Sequence, residues 1–445
     1  MTTEKKRPPS AAKRRVHPSV VRRLKAKKEK IPEIPRAPRE QRRSLTHVGG
    51  EAIRGGDPEK AELLAQALDV APAGERDDEP ERAHVHGFHP YPARMHPDTA
   101  KALVASFSDE GATVLDPFCG SGTVLVEAMI QGRRAIGTDL NPFAVRLAMA
   151  KTHPRKEAER AALLETAQSI ADLANERRTK KAGATHRYPH DDVRLFEPHV
   201  LLELDSLRLG IAEKEAPTFR PDLSLVLSAI LVKVSRKRGD TSLETERRRI
   251  AAGYTTKLFV KKTEELVARH ETLTKLFPSP VPKVFVAQAD AKNLKPVDAN
   301  VADTVITSPP YAATYDYVEH HDLRMRWLGM DRKQLEQEEL GARRHYAELN
   351  ANEATERWCD ELDRFFKSLA RVTKAGANVV LLMADSAVGR TALRADTLVD
   401  RVATAGKTFT PLARASQTRP HFHPGTQAAF RDTPRFEHAL LLVKR

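Results

Sequence analysis

The feature that most constrains the fold of this chain is one run of about 30 residues in its first half. An apolar segment ending in Asp116 predicts a strand, a Cys-Gly-Ser-Gly loop follows it, and the next apolar segment predicts a helix that closes at Gly132. A second predicted strand ends on Asp139. A strand, glycine loop, helix and strand with a final acid are the layout of half a Rossmann-type fold, so we expect an α/β protein.

The second half of the chain supplies the remaining strands of this predicted sheet. Residues 151–282 have a mostly helical pattern, and strands resume with the segment that ends on Asp290. Further predicted strands precede Ser308, cover residues 377–385 and end the sequence. The sequence therefore predicts one Rossmann-like sheet whose second and third strands are separated by a long helical insertion.

Positive charge is concentrated near the first residue. Residues 1–47 hold 16 Lys and Arg against 4 Asp and Glu, so they carry +12 of the chain's net charge of +14. A Pro-rich segment with so few large apolar residues is expected to be disordered, and it suits either an arm attracted to polyphosphates or a solubilising tail. Residues 48–83 are rich in Gly, Pro and acids, which predicts a linker with one short helix near Pro58.

Composition excludes several classes of protein. No run reaches the ~18–20 apolar residues of a membrane helix, and the first residues lack the apolar core of a secretory signal, so we expect a soluble, cytoplasmic protein. Cys119 and Cys359 are the only cysteines, which excludes a disulfide framework and a four-cysteine zinc site. The four histidines between residues 84 and 96 are expected in the core or on the surface rather than on a metal.

The glycine loop after Asp116 lets a ligand approach the backbone. Gly120 and Gly122 lack Cβ atoms, so the chain can turn tightly while its N–H groups face a ligand. The loop has no Lys-Ser/Thr pair, which excludes a P-loop, and it lacks the third glycine of a dinucleotide fingerprint. Asp116, which ends the first strand, is suited to bind an ammonium group or hydroxyls. Asp139, which ends the second strand, is suited to accept hydrogen bonds from ribose hydroxyls.

A second loop, Ser308-Pro309-Pro310-Tyr311, follows another predicted strand. Two prolines after a strand fix a rigid, non-helical backbone whose carbonyls can accept hydrogen bonds from an amino group. Tyr311 offers a flat face on which a base can stack. Alone, this motif also fits a strand end or a proline-motif ligand, and its pairing with the Asp116 loop makes it specific.

Together, Asp-Pro-Phe-Cys-Gly-Ser-Gly-Thr and Thr-Ser-Pro-Pro-Tyr resemble the S-adenosylmethionine-dependent amino-methyltransferases, which modify DNA at cytosine N4 or adenine N6. The resemblance implies a class I methyltransferase sheet, with a donor-binding half at 84–150, a possible target-recognition insertion at 151–282 and a catalytic half at 283–445. It also implies that the glycine loop and the Phe88 segment hold the methionine end of S-adenosyl-L-methionine. Asp139 is implied to bind its ribose, and Asp290 is implied to contact its adenine. The implied cofactor-binding residues are Phe88, Pro90, Tyr91, Asp116, Pro117, Phe118, Gly120, Ser121, Gly122, Thr123, Asp139 and Asp290.

For the reaction, the resemblance implies that Ser308 and the Pro309 carbonyl hydrogen-bond the target amine and make it nucleophilic. Tyr311 is implied to stack on a base that has flipped out of the duplex. The implied catalytic residues are thus Ser308, Pro309, Pro310 and Tyr311, and the chemistry needs no metal. Ser308, where many adenine enzymes have Asp, favours cytosine N4. The donor motif precedes the catalytic motif here, whereas serine-type members commonly have the reverse order.

Three other functions compete with cytosine-N4 methylation of DNA. These are adenine-N6 methylation of DNA, guanine-N2 methylation of RNA, and nucleic-acid binding without catalysis. The expected partners are duplex DNA and cognate restriction or defence proteins, with the protein on the nucleoid when it binds DNA. Residues 231–270 hold 11 Lys and Arg against 5 Asp and Glu. Two interpretations of this segment stay open, namely that it contacts phosphates or that it forms a solvated helical face. Residues 315–321 line the base pocket or cap the next helix.

Overall fold

The computed structural model describes residues 51–70, 80, 82–213, 218–239, 244–419 and 424–445, and the predicted tail at 1–47 lies outside them. The strands are β1 (Ile53–Gly56), β2 (Thr113–Asp116), β3 (Arg134–Asp139), β4 (Val284–Gln288), β5 (Ala302–Thr307), β6 (Thr373–Ala384), β7 (Ser386–Val388), β8 (Thr391–Leu393), β9 (Phe409–Thr418) and β10 (Phe436–Lys444). The α-helices are α1 (Pro58–Leu68), α2 (Pro97–Phe107), α3 (Thr123–Ile130), α4 (Pro142–Thr152), α5 (Glu157–Thr179), α6 (His190–Leu195), α7 (Pro198–Glu213), α8 (Arg220–Leu231), α9 (Tyr254–Thr274), α10 (Tyr317–Trp327), α11 (Lys333–Glu338), α12 (Ala351–Val372) and α13 (Ala395–Gly406). Short 3₁₀ turns span His84–Gly87, Arg343–His345 and Pro424–Phe430.

Eight of the described strands form one mixed sheet in the order β1-β9-β10-β6-β5-β2-β3-β4. Neighbouring strands from β6 to β4 are parallel, whereas β10, β9 and β1 add antiparallel pairs at one edge. The chain order reverses between β2 and β5, and ligands of such sheets bind outside the carboxyl ends of the strands at that point. This is the Rossmann-like class I methyltransferase sheet that the sequence predicts, with a motif loop after β2 and another after β5.

The residues of β2, β3 and α3 explain why they lie together at the centre of the sheet. All four residues of β2 are buried, as expected for a central parallel strand that helices cover on both faces. α3 begins after Gly122, whose φ of 80° lies in the left-handed region. A Cβ on Gly137 of β3 would stand 2.3 Å from Leu125 Cδ1 of α3. That glycine therefore lets α3 lie close against the strand that ends on Asp139.

Helices cover both faces of the sheet. On one face, α12 and α13 share a hydrophobic core with β5 and β6 that includes Trp358, Phe365 and Val399. On the other face, α1, α2 and α3 bury residues such as Leu64 and Leu103 against the same sheet. The two cores hold the carboxyl ends of the central strands in fixed positions, and the motif loops begin there.

Residues 51–70 form part of the sheet domain, although the sequence predicted a linker at 48–83. β1 pairs antiparallel with β9, so that Ile53 lies opposite Ser416. α1 begins at Pro58, where a short helix was predicted, and it buries Leu64 and Leu68 in the core beside α2. The strand was missed because a segment of Ile, Arg and two Gly has no apolar pattern of its own and is extended only by pairing with β9.

The predicted insertion is helical over most of its described residues and contains α5 to α9, between β3 and β4. Its core includes Leu163, Leu204 and Phe259, and this core continues into Phe143 of α4. The insertion is therefore packed against the half of the sheet domain that contains β2, β3 and α4. None of the described helices combines the length and the apolar character needed to cross a bilayer.

Candidate active site

A cavity that is partly open to solvent lies at the carboxyl ends of β2, β3 and β5, where the strand order reverses. Five separate segments of the chain contribute residues that the sequence had singled out. Those that line the cavity are Tyr91, Asp116, Pro117, Phe118, Gly120, Ser121, Thr123, Asp139, Asp290, Ser308 and Pro310. The predicted site residues that do not line it are Phe88, Pro90, Gly122, Pro309 and Tyr311.

Asp116 joins the two motif loops. It is buried at the end of β2, and its Oδ1 accepts hydrogen bonds from Thr307 Oγ1 at 2.6 Å and from the Phe118 backbone N–H at 3.1 Å. Burial raises the pKa of Asp116 to about 7, and these two hydrogen bonds oppose that shift. A carboxyl group in this state is well suited to bind a cationic group, because the cation would favour its ionised form.

Asp139 holds the glycine loop from the end of the neighbouring strand. Its Oδ2 accepts from the Gly120 backbone N–H at 2.9 Å, and its Oδ1 accepts from the Asn141 N–H at 2.8 Å. Burial raises the pKa of Asp139 to about 6, and the backbone hydrogen bonds oppose the shift. The side chain thus fixes the loop while it lines the cavity, where its oxygens can also accept from ligand hydroxyls.

The glycine loop presents backbone and hydroxyl groups to the cavity. Gly120 has a φ of 49°, and a Cβ there would stand 3.2 Å from Cε1 of Tyr91. A Cβ on Gly122 would stand 3.1 Å from Cα of Ala148 in α4, which explains why this glycine packs on a helix instead of lining the cavity. The hydroxyls of Ser121 and Thr123 are buried and have no hydrogen-bond partner among the described residues. They are free to donate to an anionic ligand group.

The segment before α2 contributes one wall of the cavity through Tyr91. Its ring stacks on His321, with centroids 4.9 Å apart and an interplanar angle of 25°. Phe88 points away into the core of the insertion, where the Lys262 ammonium lies 5.1 Å from its ring centroid. The carbonyl of Pro90 accepts from His89 Nδ1 at 2.8 Å. Of the three residues predicted in this segment, only Tyr91 reaches the cavity.

The loop after β5, at 308–311, has some residues in the cavity wall and others in the core. Ser308 and Pro310 line the cavity, whereas Pro309 is buried. Tyr311 is 3% exposed, and its hydroxyl donates to Glu437 Oε1 at 3.2 Å. Its ring therefore does not present the open stacking face that the sequence predicted, because it packs in the core between the sheet and α12.

The chain after the catalytic loop supplies lining residues that no motif predicted. They come from α10, α11 and the residues after α11, and they are Tyr317, Leu335, Glu338, Glu339 and Leu340. Glu339 folds this segment over the cavity, because its Oε1 accepts from the Tyr317 N–H at 2.7 Å and its Oε2 from Arg344 Nη1 at 2.6 Å. Tyr317 lies in the segment 315–321, for which the sequence left a pocket role open. Asp290 also lines the cavity, and its Oδ1 accepts from the Lys292 N–H at 2.8 Å.

Two groups of metal-ligating side-chain types occur among the described residues, and neither lines the cavity. In the first, which also includes His84, His86 Nε2 lies 2.8 Å from Glu127 Oε1, and burial lowers the pKa of both histidines. In the second, Asp385 pairs with Arg394 at 2.7 Å and with His438 at 3.1 Å. These contacts pair buried polar groups within the fold.

The sequence is similar to known methylases. A family model described as DNA methylase, of the N6/N4 methyltransferase type, matches residues 9–150. The Type II methyltransferase M.MjaII of Methanocaldococcus jannaschii is 38% identical over 91 residues, which cover 20% of this chain and 17% of that protein. The Type II methyltransferase M.MvaI of Kocuria varians is 26% identical over 265 residues, which cover 55% of this chain and 58% of that protein.

One similar protein acts on RNA by its name. The tRNA (guanine(10)-N2)-dimethyltransferase of Methanothermobacter thermautotrophicus is 41% identical over 61 residues, which cover 14% of this chain and 18% of that protein. The chain spans less than two thirds of the length of each of these three relatives. The family model places residues 9–150 among the N6/N4 DNA methylases, and two of these relatives are Type II methyltransferases by name.

Proposed function

We propose that this protein transfers a methyl group from S-adenosyl-L-methionine to an exocyclic amine of a DNA base, with cytosine N4 as the favoured target. The observation that carries the proposal is one cavity lined by both motif loops, with Asp116 on the first and Ser308 on the second. The hydrogen bond from Thr307 to Asp116 fixes the spacing between these loops. A donor on the first loop and an amine on the second would therefore meet in the same cavity.

The residues of the cavity fit such a donor. The unpartnered hydroxyls of Ser121 and Thr123 can donate to its carboxylate, and Asp116 can bind its ammonium group. Asp139 and Asp290 offer carboxylates to its ribose and adenine ends. When bound, S-adenosyl-L-methionine supplies an electrophilic methyl group, and the protein's contribution is to hold and orient it.

Ser308 is the group of the second motif loop proposed to hold the target amine, because it lines the cavity whereas Pro309 does not. Ser308 is half-buried in the cavity wall, and the two prolines after it fix the backbone. An amine that donates to the Ser308 oxygen can be drawn out of conjugation with its ring, so its lone pair can point at the methyl group. The base must leave the duplex to reach this cavity. A serine in place of an acid supports cytosine N4 over adenine N6.

The relatives support DNA as the target more than RNA. M.MvaI matches over 265 residues, whereas the tRNA guanine-N2 enzyme matches over 61. The shorter match keeps guanine-N2 methylation of RNA as the second candidate. Arg247 and Arg249 of the insertion are exposed and suit contacts with phosphates. An enzyme of this kind would act on chromosomal DNA in the cytoplasm, alongside a cognate restriction or defence protein.

Nucleoside mass spectrometry tests the proposal. DNA and RNA would be isolated from a methylation-deficient bacterial host that expresses the full chain, beside a host that expresses Asp116→Ala. N4-methylcytosine in DNA supports the proposal, and N6-methyladenine would keep the reaction and change the base. Methyl groups confined to guanine in RNA would move the assignment to the second candidate. If neither DNA nor RNA from the host is methylated, while the purified protein binds the donor, the result would contradict catalysis.

A further inference from the structure

Tyr311 is joined to a buried ion pair on a distant strand. Its hydroxyl donates to Oε1 of Glu437, which lies on β10 and is fully buried. Glu437 forms an ion pair with Arg419, just after β9, and Arg419 is only 6% exposed. Since β6 lies between β5 and β10, the tyrosine reaches across one whole strand to make this contact.

Ser308, which lines the cavity, lies three residues before Tyr311 on the same loop. Pro309 and Pro310 join the two residues, and their fixed φ angles make this connection rigid. A displacement of Tyr311 is therefore passed to Ser308 through the backbone. The ion pair of Arg419 and Glu437 holds Tyr311, and the two prolines connect Tyr311 to Ser308.

We propose that Glu437 and Arg419 are positioning residues, which hold the Tyr311 hydroxyl and thereby fix the Ser308 oxygen as the acceptor for the target amine. This inference rests on the proposed amine methylation and deepens it. A fully buried carboxylate that loses one partner is left with an uncompensated desolvation cost, so Glu437 keeps Tyr311 in place. Because Ser308 lies three residues before Tyr311, a shift of the tyrosine would move the acceptor out of line with the amine.

A ring that stacks on the target base would work differently. Stacking on a base requires the aromatic ring and needs no hydroxyl. Here the ring lies in a core with Trp358 and Leu340. After the catalytic loop, Tyr317 is the tyrosine whose side chain lines the cavity. Phe at position 311 separates the two roles, because it keeps the ring and removes the hydroxyl.

Two variants of the full chain, Tyr311→Phe and Glu437→Gln, test the proposal beside a matched control, Tyr346→Phe. Tyr346 is as buried as Tyr311, donates to Glu361 Oε2 at 3.0 Å, and does not line the cavity. We expect Tyr311→Phe to lower kcat on DNA about tenfold or more, as for a lost hydrogen bond to a charged group, with donor Kd changed less than about twofold. Tyr346→Phe should keep wild-type kcat. The double variant should be no slower than the slower single variant, because both changes interrupt the same contacts.

Hydrogen–deuterium exchange separates this proposal from the proposed function. If Tyr311 anchors the loop, the amides of residues 311–316 exchange faster in Tyr311→Phe, whether or not the wild-type protein methylates DNA. Wild-type kcat or unchanged exchange in Tyr311→Phe would overturn the positioning role, and so would an equal loss of kcat in Tyr346→Phe. If the wild-type protein methylates no nucleic acid, and if exchange is faster in Tyr311→Phe but not in Tyr346→Phe, the role in methylation is overturned. Tyr311 is then a purely structural anchor.

Discussion

The Thr307 hydroxyl donates to Oδ1 of Asp116 across 2.6 Å, so the last residues of β5 and β2 are joined through their side chains. Both side chains are buried, and each residue comes directly before a motif loop. Asp116 also accepts from the backbone N–H of Phe118. One carboxylate therefore fixes the start of the loop after β2 and its distance from the loop after β5, and the proposed transfer depends on this spacing.

Thr307→Val keeps the shape of the side chain and removes this hydrogen bond. We expect the pKa of Asp116 to rise further, because a bond that stabilises the carboxylate is lost. At neutral pH fewer molecules would then hold the ionised form, and affinity for S-adenosyl-L-methionine should fall about threefold to tenfold. Calorimetric titration measures this change. Thr304→Val is the control, since Thr304 donates to the Phe107 carbonyl on the same strand, and equal losses in both variants would contradict the prediction.

Donor affinity should increase as the pH rises from about 6 to about 7.5, because the pKa of Asp116 is about 7. An ammonium ligand binds the ionised carboxylate, so binding below this pKa must release a proton and weakens up to about tenfold per pH unit. The window ends before the ordinary pKa of an α-amino group, near about 8. Titrations across this range test the trend, and Asp116→Asn should bind weakly with no such slope. A Kd that stays constant in the wild type would remove Asp116 from the ammonium site.

The raised pKa of Asp116 also affects the stability of the ligand-free protein. The folded state holds this proton up to about pH 7, whereas the unfolded chain releases it near the ordinary value of 3.8, so stability falls as the pH rises through that interval. Asp116→Asn cannot ionise, and we expect it to raise the free energy of unfolding by about 1 kcal/mol or more at about pH 8. Urea unfolding at about pH 8 and about pH 5 checks the sign, since the gain should shrink in acid. A loss of stability at the higher pH would show that hydrogen bonding outweighs burial at this carboxylate.

The loop after β2 was predictable from the sequence because its signals are local. The apolar runs of β2, α3 and β3 lie close together in the chain, and each ends or begins at a residue with one clear structural role, such as Gly122 or Asp139. Such short-range patterns determine which segments form strands and helices. The same holds for Ser308, which the structure brings to the cavity together with Asp116.

Features that the sequence did not predict depend on contacts between distant segments. Tyr311 is buried, and its hydroxyl donates a hydrogen bond to Glu437, 126 residues later in the chain. Tyr317 lines the cavity because Glu339 binds its backbone N–H and folds the following segment over the site. Phe88 does not line the cavity because it packs in the apolar core of the insertion, where its ring contacts Lys262. No spacing in the sequence links these partners, since they meet only when the sheet and insertion have packed.

Because β1 and α1 pack on the sheet, we expect residues 51–70 to contribute to the free energy of unfolding. A linker would make no such contribution. Leu64 is fully buried against the sheet, whereas Gln66 on the same helix is exposed. Leu64→Ala should lower the free energy of unfolding by about 2–5 kcal/mol, because it leaves a cavity in the core. Gln66→Ala should change it by less than about 0.5 kcal/mol. Urea unfolding of the full chain measures both values, and equal, near-zero changes would mean that α1 is not packed on the sheet in solution.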